Sequence, residues 1–342
     1  MVKTLAFKEA LKDLNLPGLD RNLFSSPQWL SVIDKTYRLK MFIKYIEEQG
    51  KIASYIIYSV VDNFLEQKIC VCSYCDYCDG YISRAEHWQL FFESLRKQYP
   101  HYRIAIRNLR DETLRQNLNF QVLSKERFHF LDISASLEVL WKNTHDSFRS
   151  PVKQAQKSGV VVRPCGKEGL KKFFALHMRL RKNKYRLFPQ PYRFFDYIWQ
   201  EYMERDQGVL LGAHDKQGHF IGGTIFLICN DTLYYKFNTS DLNYLKLRPN
   251  NILLWEGIKF AKGRNLKFVD LGSSGCQQEG LIRFKNHAGA ACRDITHLGF
   301  TPPGYKFSRK IILSATTKFC TLPMMPNFVL RLGSNLIYPF LA

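Results

Sequence analysis

Residues 208–240 read GVLLGAHDKQGHFIGGTIFLICNDTLYYKFNTS, and this stretch decides the fold. Three β-rich runs, 208–214, 219–229 and 232–240, are parted by the turn signals DKQG and ND, which predicts an antiparallel meander. A helix, NNILLWEGIKFAKGR (250–264), follows, and then a strand, KFVDLG (267–272). The first half has the same grammar. The runs at 41–48, 52–61 and 68–74 alternate as strands, a helix starts at Ser83 and ends before Pro100, and HYRIAIRN (101–108) reads as a further strand. No residue-level repeat accompanies the recurrence. The pattern predicts an α/β (α+β) chain of two similar units, 1–140 and 141–300, each a mostly antiparallel twisted sheet flanked by helices, with a tail at 301–342.

Local signals place the helix ends. Ser26 can cap a helix whose first position is Pro27, where the missing N–H costs nothing. Ser83 and Glu86 have the spacing of a capping box. SPVKQAQKSG (150–159) predicts a short helix capped by Ser150, with Pro151 inside its start and Gly159 past its end; VVVRP (160–164) follows as a strand. Leu170, Phe173, Leu176 and Leu180 fall at helical spacing within 168–184, and an aromatic helix is expected around 193–203.

The 342 residues are 46% hydrophobic and 14% aromatic, which excludes a disordered chain. Fifty Lys and Arg against 30 Asp and Glu give +20, a balance that favours an anionic partner but is silent on fold. Between Lys142 and Arg186 lie 13 basic residues and two acids, Asp146 and Glu168, so over half the surplus sits there. The tail 301–342 has five basic residues and no acid, which suggests peripheral contact with an anionic membrane. Its apolar runs are broken by Lys318, Pro323, Pro326 and Arg331, too soon for a span of about 18 residues. Lys3, Lys8 and Lys12 break any signal-peptide pattern, so the nine cysteines are expected mostly as thiols in a cytoplasmic protein, peripheral at the inner face of the membrane.

The stretch DLGSSGCQQEGLIRFKNHAGA (270–290) mixes glycines, serines and cations. GSSGC is one residue short of a nucleophile elbow, and phosphate-loop and dinucleotide patterns are absent. Cys70, Cys72, Cys75 and Cys78 lack the second pair that thiolate metal sites usually need; they read as a strand running into an exposed loop, with no metal expected. Lys153 and Lys157 stand at i, i+4 and, with Arg149, could grip phosphates; the alternative is an ordinary solvated helix face. His177, Arg181 and Lys184 share a face, where the histidine is either structural or catalytic. Tyr234, Tyr235, Phe237 and Trp255 are either core or one wall of a pocket. No nucleic-acid module signature appears, so DNA is not an expected partner.

SFRSPVKQAQKSGVVV (147–162) resembles the RR-x-IRKA-x-K-x-GV segment of the FemABX/CelD-like branch of the GNAT acyltransferase superfamily. Residues 235–272 resemble that branch's meander, P-N helix and D-x-G strand, and QEGLIRFKNHAGA (278–290) is similar to its closing GL-x-x-FK-x-x-(F/W)GA signature. The resemblance implies tandem GNAT-like units and transfer of an acyl or aminoacyl group to an amine or hydroxyl of a cell-envelope saccharide or peptidoglycan-type precursor. Acyl-CoA, acyl carrier protein or aminoacyl-tRNA would be the co-substrate, with no bound cofactor. Transfer would be direct, in a ternary complex at the junction of the units, with backbone N–H groups of a splayed strand pair polarising the donor carbonyl. Lys285 and Arg283 match the basic positions of the closing motif and would stabilise charge; Asp270 and His287 are the candidate bases. Arg149, Lys153, Lys157, Arg181, Asn251 and Trp255 complete the donor- and substrate-binding set. The chain departs from the pattern in lacking the GNAT pyrophosphate loop and the coiled-coil arm of Fem ligases, and in having Ala288 at a usually aromatic position. A second expectation is a catalytically silent protein that binds anionic lipid-linked saccharides at a membrane surface.

Overall fold

The computed structural model describes residues 1–63, 66–117, 119–305, 316–322 and 324–338. Among these, one compact unit takes in 1–126, 294–305 and 337–338, and a second takes in 127–293 and 316–336.

The first unit opens with β1 (Val2–Ala6), α1 (Phe7–Asp13) and α2 (Pro27–Tyr37). Its meander is β2 (Lys40–Glu48), β3 (Lys51–Asp62) and β4 (Gln67–Val71), followed by α3 (Glu86–Gln98), β5 (Arg103–Asn108) and the short α4 (Glu112–Arg115). Neighbours from β1 to β4 pair antiparallel, and the crossover through α3 makes β4 and β5 parallel. Trp88 and Phe91 of α3 pack onto Ile69 and Ile104, as the apolar face of an amphipathic helix must.

The chain enters the second unit along β6 (Gln121–Asp132) and continues through α5 (Leu137–Asn143), α6 (Asp146–Lys157), β7 (Val161–Pro164), α7 (Lys167–Leu180) and α8 (Tyr192–Ile198). The meander forms as expected, as β8 (Gly208–His214), β9 (Phe220–Cys229) and β10 (Thr232–Ser240). Then come α9 (Pro249–Gly263), β11 (Phe268–Gly275), α10 (Glu279–His287), β12 (Ala291–Phe300) and α11 (Asn327–Ile337). Strand order here is β6-β11-β10-β9-β8-β7, with β10 and β11 parallel. In the first unit it is β1-β2-β3-β4-β5-β12. Each unit thus closes its sheet with a strand from the opposite half of the sequence. The twelve strands pair mostly antiparallel, so the fold is mixed α/β.

Ser26 does cap α2, accepting from the Trp29 N–H, with Pro27 at the first position. Two other expected caps fail. Ser83 does not form a capping box: its N–H bonds to Ser54 Oγ at 2.8 Å, and α3 begins at Glu86 after Ala85. Ser150 does not start a helix, because α6 begins earlier at Asp146, where His145 Nδ1 accepts from the Ser147 N–H. Pro151 is therefore inside α6, while Gly159, at φ +74°, ends it as predicted. The cysteine-rich loop is not exposed. Cys72, Cys75 and Cys78 are all buried, and Cys72 and Cys78 form a disulfide.

Candidate active site

In the second unit β10 and β11 pair for only three residues, Thr232–Tyr234 against Phe268–Asp270. Both strands then continue, β10 to Ser240 along β9 and β11 to Gly275, without pairing to each other again. A parallel pair that opens this way leaves strand-edge N–H and C=O groups turned toward the gap, which a ladder would otherwise consume. A register shift between Tyr235 and Phe237 adds a bulge at Lys236 on the opened strand.

The open side of β11 is held in shape by its own side chains. Gly272 adopts φ +69°, the left-handed region where glycine alone carries no Cβ penalty. The buried Asp270 accepts the Gly272 N–H at 2.7 Å, which fixes that turn. From α10, Lys285 reaches back and donates to the Gly272 and Ser273 carbonyl oxygens, both at 3.0 Å. Lys285 is only 3% exposed, so its ammonium is held by carbonyl dipoles rather than water. Next along the strand, the Ser274 hydroxyl is buried without a hydrogen-bond partner among the described residues.

His129 on β6 completes the cluster. It is fully buried, and its pKa is pushed down to about 4, first by burial and second by the charge of Lys285, against a partial offset from the Asn286 side chain. The ring is neutral at pH 7.

The first unit has the same parallel pair, Lys68–Cys70 against Arg103–Ala105, but its opening is filled. The Cys78 N–H bonds to the Arg107 carbonyl, Arg107 donates back to the Cys75 carbonyl, and Asp79 accepts the Leu109 N–H. The cysteine-rich loop is a plug, and among the described residues only the second unit keeps an open pair.

Residues 142–285 match the family model described as "Acetyltransferase (GNAT) domain". The chain carries a GNAT acetyltransferase domain. The fold agrees. FemX superposes with a TM-score of 0.65 at 14% identity, over 92% of this chain and all of that one. A tandem GNAT protein from the clavulanic acid biosynthesis pathway gives 0.56 at 9%, covering 90% and 100% of the two chains. The C-terminal domain of a putative lysylphosphatidylglycerol synthetase from Agrobacterium fabrum gives 0.54 at 10%, covering 84% and 90%. No curated protein matches the chain.

In the second unit most of the predicted residues form two groups. Asp270 and Lys285 meet at the β11 turn. His287, at the end of α10, stacks its ring on His145 at 4.4 Å and 19°, and its carbonyl accepts the His145 N–H. Phe284 meets Phe148 at 5.9 Å, so α10 and α6 lie side by side. Arg283 is exposed on α10, and Lys153 and Lys157 are exposed on α6. Gln154, also on α6, bonds to the Lys246 carbonyl and to Arg248 Nε. That anchors α6 beside the start of α9, where Asn251 occupies the first turn and its N–H bonds to the Arg248 carbonyl.

Three predicted residues are engaged elsewhere. Arg149 donates to the carbonyls of Trp141, Lys142 and Thr144 and pairs with Asp146, so its guanidinium closes the end of α5. Arg181 donates through Nε and Nη2 to the Phe188 carbonyl. Trp255 is buried against Trp141, with ring centroids at 4.6 Å. His177 is buried beside Phe173 and Phe195 and bonded to Gln190; burial pushes its pKa to about 3. Tyr235 and Phe237 pack on Phe226, Phe194 and Phe195, as core residues do.

Sequence reasoning missed His129, Ser274, Lys246 and Arg248. The signal for His129 was a single histidine inside the apolar run RFHFLDI; for Lys246 and Arg248 it was their place just before the Pro249 helix start.

Among the described residues no helix is long and apolar enough to cross a membrane, and no His, Cys, Asp and Glu cluster has metal-binding geometry.

Proposed function

We propose that this protein transfers an acyl or aminoacyl group from a polyanionic activated donor to an amine or hydroxyl of a cell-envelope saccharide or peptidoglycan-type precursor. The observation that supports it most is the β10–β11 pair that opens after Tyr234 and Asp270, with the Lys285 ammonium at its open side. N–H groups on the opened edge would polarise the donor carbonyl and stabilise the oxyanion as the acceptor attacks. Lys285 would add positive charge to that intermediate, directly or through the Gly272 and Ser273 peptides it grips. The buried Ser274 hydroxyl would take a hydrogen bond from the bound acceptor or donor. His129, neutral at pH 7, is the candidate base left once the Asp270 carboxylate is engaged at the turn, and burial with the Lys285 charge beside it keeps it a weak one. No covalent enzyme intermediate is required.

Donor phosphates would bind at the start of α9, where the helix dipole, Lys246 and Arg248 combine with Lys153 and Lys157 of α6. This arrangement serves acyl-CoA, acyl carrier protein and aminoacyl-tRNA alike. The names FemX and lysylphosphatidylglycerol synthetase among the similar folds make an aminoacyl donor the first to assay.

The test is consumption of each labelled donor in the presence of envelope precursors. Lys285→Met, which keeps volume and removes charge, should lower turnover by roughly 100-fold, the usual cost of an oxyanion-stabilising group, with KM little changed. Lys153→Ala with Lys157→Ala should raise the donor KM by about tenfold, an effect that shrinks in high salt. Turnover unaffected by Lys285→Met would remove it from the site. Ligand binding with no donor consumed would favour the silent binding protein, a reading that the engaged Asp270 carboxylate supports.

A further inference from the structure

Two stretches of the second unit, 169–195 and 316–336, contain ten Lys and Arg between them and no Asp or Glu. The structure packs them together. Lys182 Nζ donates to the Met325 carbonyl at 2.5 Å, and Arg186 donates to the Thr321 carbonyl. Gly333 of α11 lies so close to the Phe188 ring that a Cβ there would collide with it. The buried face of α11 is therefore Leu330, Gly333 and Ser334.

The opposite face is apolar and uncovered. Phe328, Leu332 and Leu336, at i, i+4 and i+8, are 68%, 57% and 59% exposed, and Met324 precedes them. Beside this ridge a cavity of about 550 Å³ opens between α7, the start of α8 and α11. Phe174, Ala175 and Tyr192 give it apolar walls, while Arg193, Arg331 and Lys171 stand around it. The acids nearest in sequence are already paired, Glu168 with Lys171 and Asp196 with Lys167.

We propose that this face docks on an anionic phospholipid bilayer. α11 lies in the interface with Phe328, Leu332 and Leu336 in the acyl region, as amphipathic interfacial helices do. The phosphate of one anionic lipid sits between Arg193 and Arg331, with the adjoining chain against Phe174 and Tyr192. Charge decides the occupant. A second copy of the chain would set two acid-free cationic faces against each other, and a nucleic acid would answer the cations yet leave the ridge in water. An anionic bilayer answers both features. This inference requires no donor and no turnover, so it stands or falls apart from the transfer reaction.

The experiment is flotation of the full chain with vesicles of phosphatidylglycerol and phosphatidylcholine in equal parts, against phosphatidylcholine alone. The chain should float with the mixed vesicles and bind neutral ones at least about tenfold more weakly, with excess inorganic phosphate failing to compete. Phe328→Asp with Leu332→Asp should abolish flotation, and because both side chains are exposed the thermal melt should match the parent. Arg193→Ala with Arg331→Ala changes no apolar residue and should weaken binding to anionic vesicles by about tenfold while leaving neutral binding unchanged. The proposal is overturned if the parent does not float, if neutral and anionic vesicles bind equally, or if the aspartate pair binds like the parent. It is also overturned if light scattering shows a dimer that the aspartate pair dissolves, since a second copy would then cover the ridge.

Discussion

His129 and His177 make stability depend on pH. Both are buried, and both titrate below an unfolded histidine, at about 4 and about 3 against 6.5. Between those values and 6.5 the unfolded chain binds protons that the folded chain does not, so stability is full above about pH 6.5 and falls as pH drops toward 4. For His129 a displacement of this size corresponds to on the order of 3 kcal/mol lost across the window. Thermal melts from pH 4 to 8 should show that slope, and His129→Gln combined with His177→Gln should flatten it, whatever the variants cost at pH 8. An unchanged slope would assign the acid sensitivity to other groups. Legibility at this scale was uneven. Lys285 could be picked out because it stands in a motif-like FK pair that the structure then places at the strand turn. Arg149 misled, since its spacing with Lys153 and Lys157 cannot reveal three carbonyls in the last turn and C-cap of α5 that need a donor. A lone histidine in an apolar strand carries no mark of its neighbours at all.

Short-range pattern reaches further at the level of elements. The period of two in 208–240 and the period of 3.6 in 168–180 each specify one element, because side-chain alternation leaves a single way to bury the apolar set. Caps are weaker signals: Ser83 and Ser150 have the right chemistry, but tertiary bonds engage the first, and α6 starts four residues before the second. The early end of the β10–β11 ladder is invisible in sequence, yet it rests on one legible residue. Gly272 lets β11 turn away through a left-handed conformation while Asp270 holds its N–H. Gly272→Ala should destabilise the protein by about 1 kcal/mol, the penalty of a Cβ in that region, and should lower transfer rate by more than that loss accounts for, because the carbonyls gripped by Lys285 shift. Gly272→Asn, which tolerates left-handed backbone better, should recover most of the stability. Chemical denaturation alongside the donor assay separates the two effects. Equal behaviour of the Ala and Asn variants would show that the turn is not the constraint.

At the scale of the molecule the duplicated grammar suggests two units in sequence, but it does not say how each sheet is closed. Neighbouring strands usually pair with their sequence neighbours, and no local feature of β6 or β12 states which edge it joins. The consequence is testable by cutting the chain between residues 140 and 141. Residues 1–140 would lack the strand that pairs Thr296–Phe300 with Ile104–Asn108, and with it Leu298 from the first core. Residues 141–342 would lack the β6 strand beside β11, and with it Leu131 and Ile133 from the second core. Each buried aliphatic side chain stabilises by roughly 1.5–3 kcal/mol, and each lost strand also leaves a ladder of backbone groups unpaired, against a total stability of about 5–15 kcal/mol. Neither fragment should therefore fold alone. Expressed separately, both should aggregate or show no cooperative melt; expressed together, they should assemble through the exchanged strands and elute as one species. Size-exclusion chromatography with far-UV circular dichroism distinguishes these outcomes. A cooperative melt from either fragment alone would mean that its borrowed strand is dispensable, and that each half holds a complete core within its own stretch of sequence.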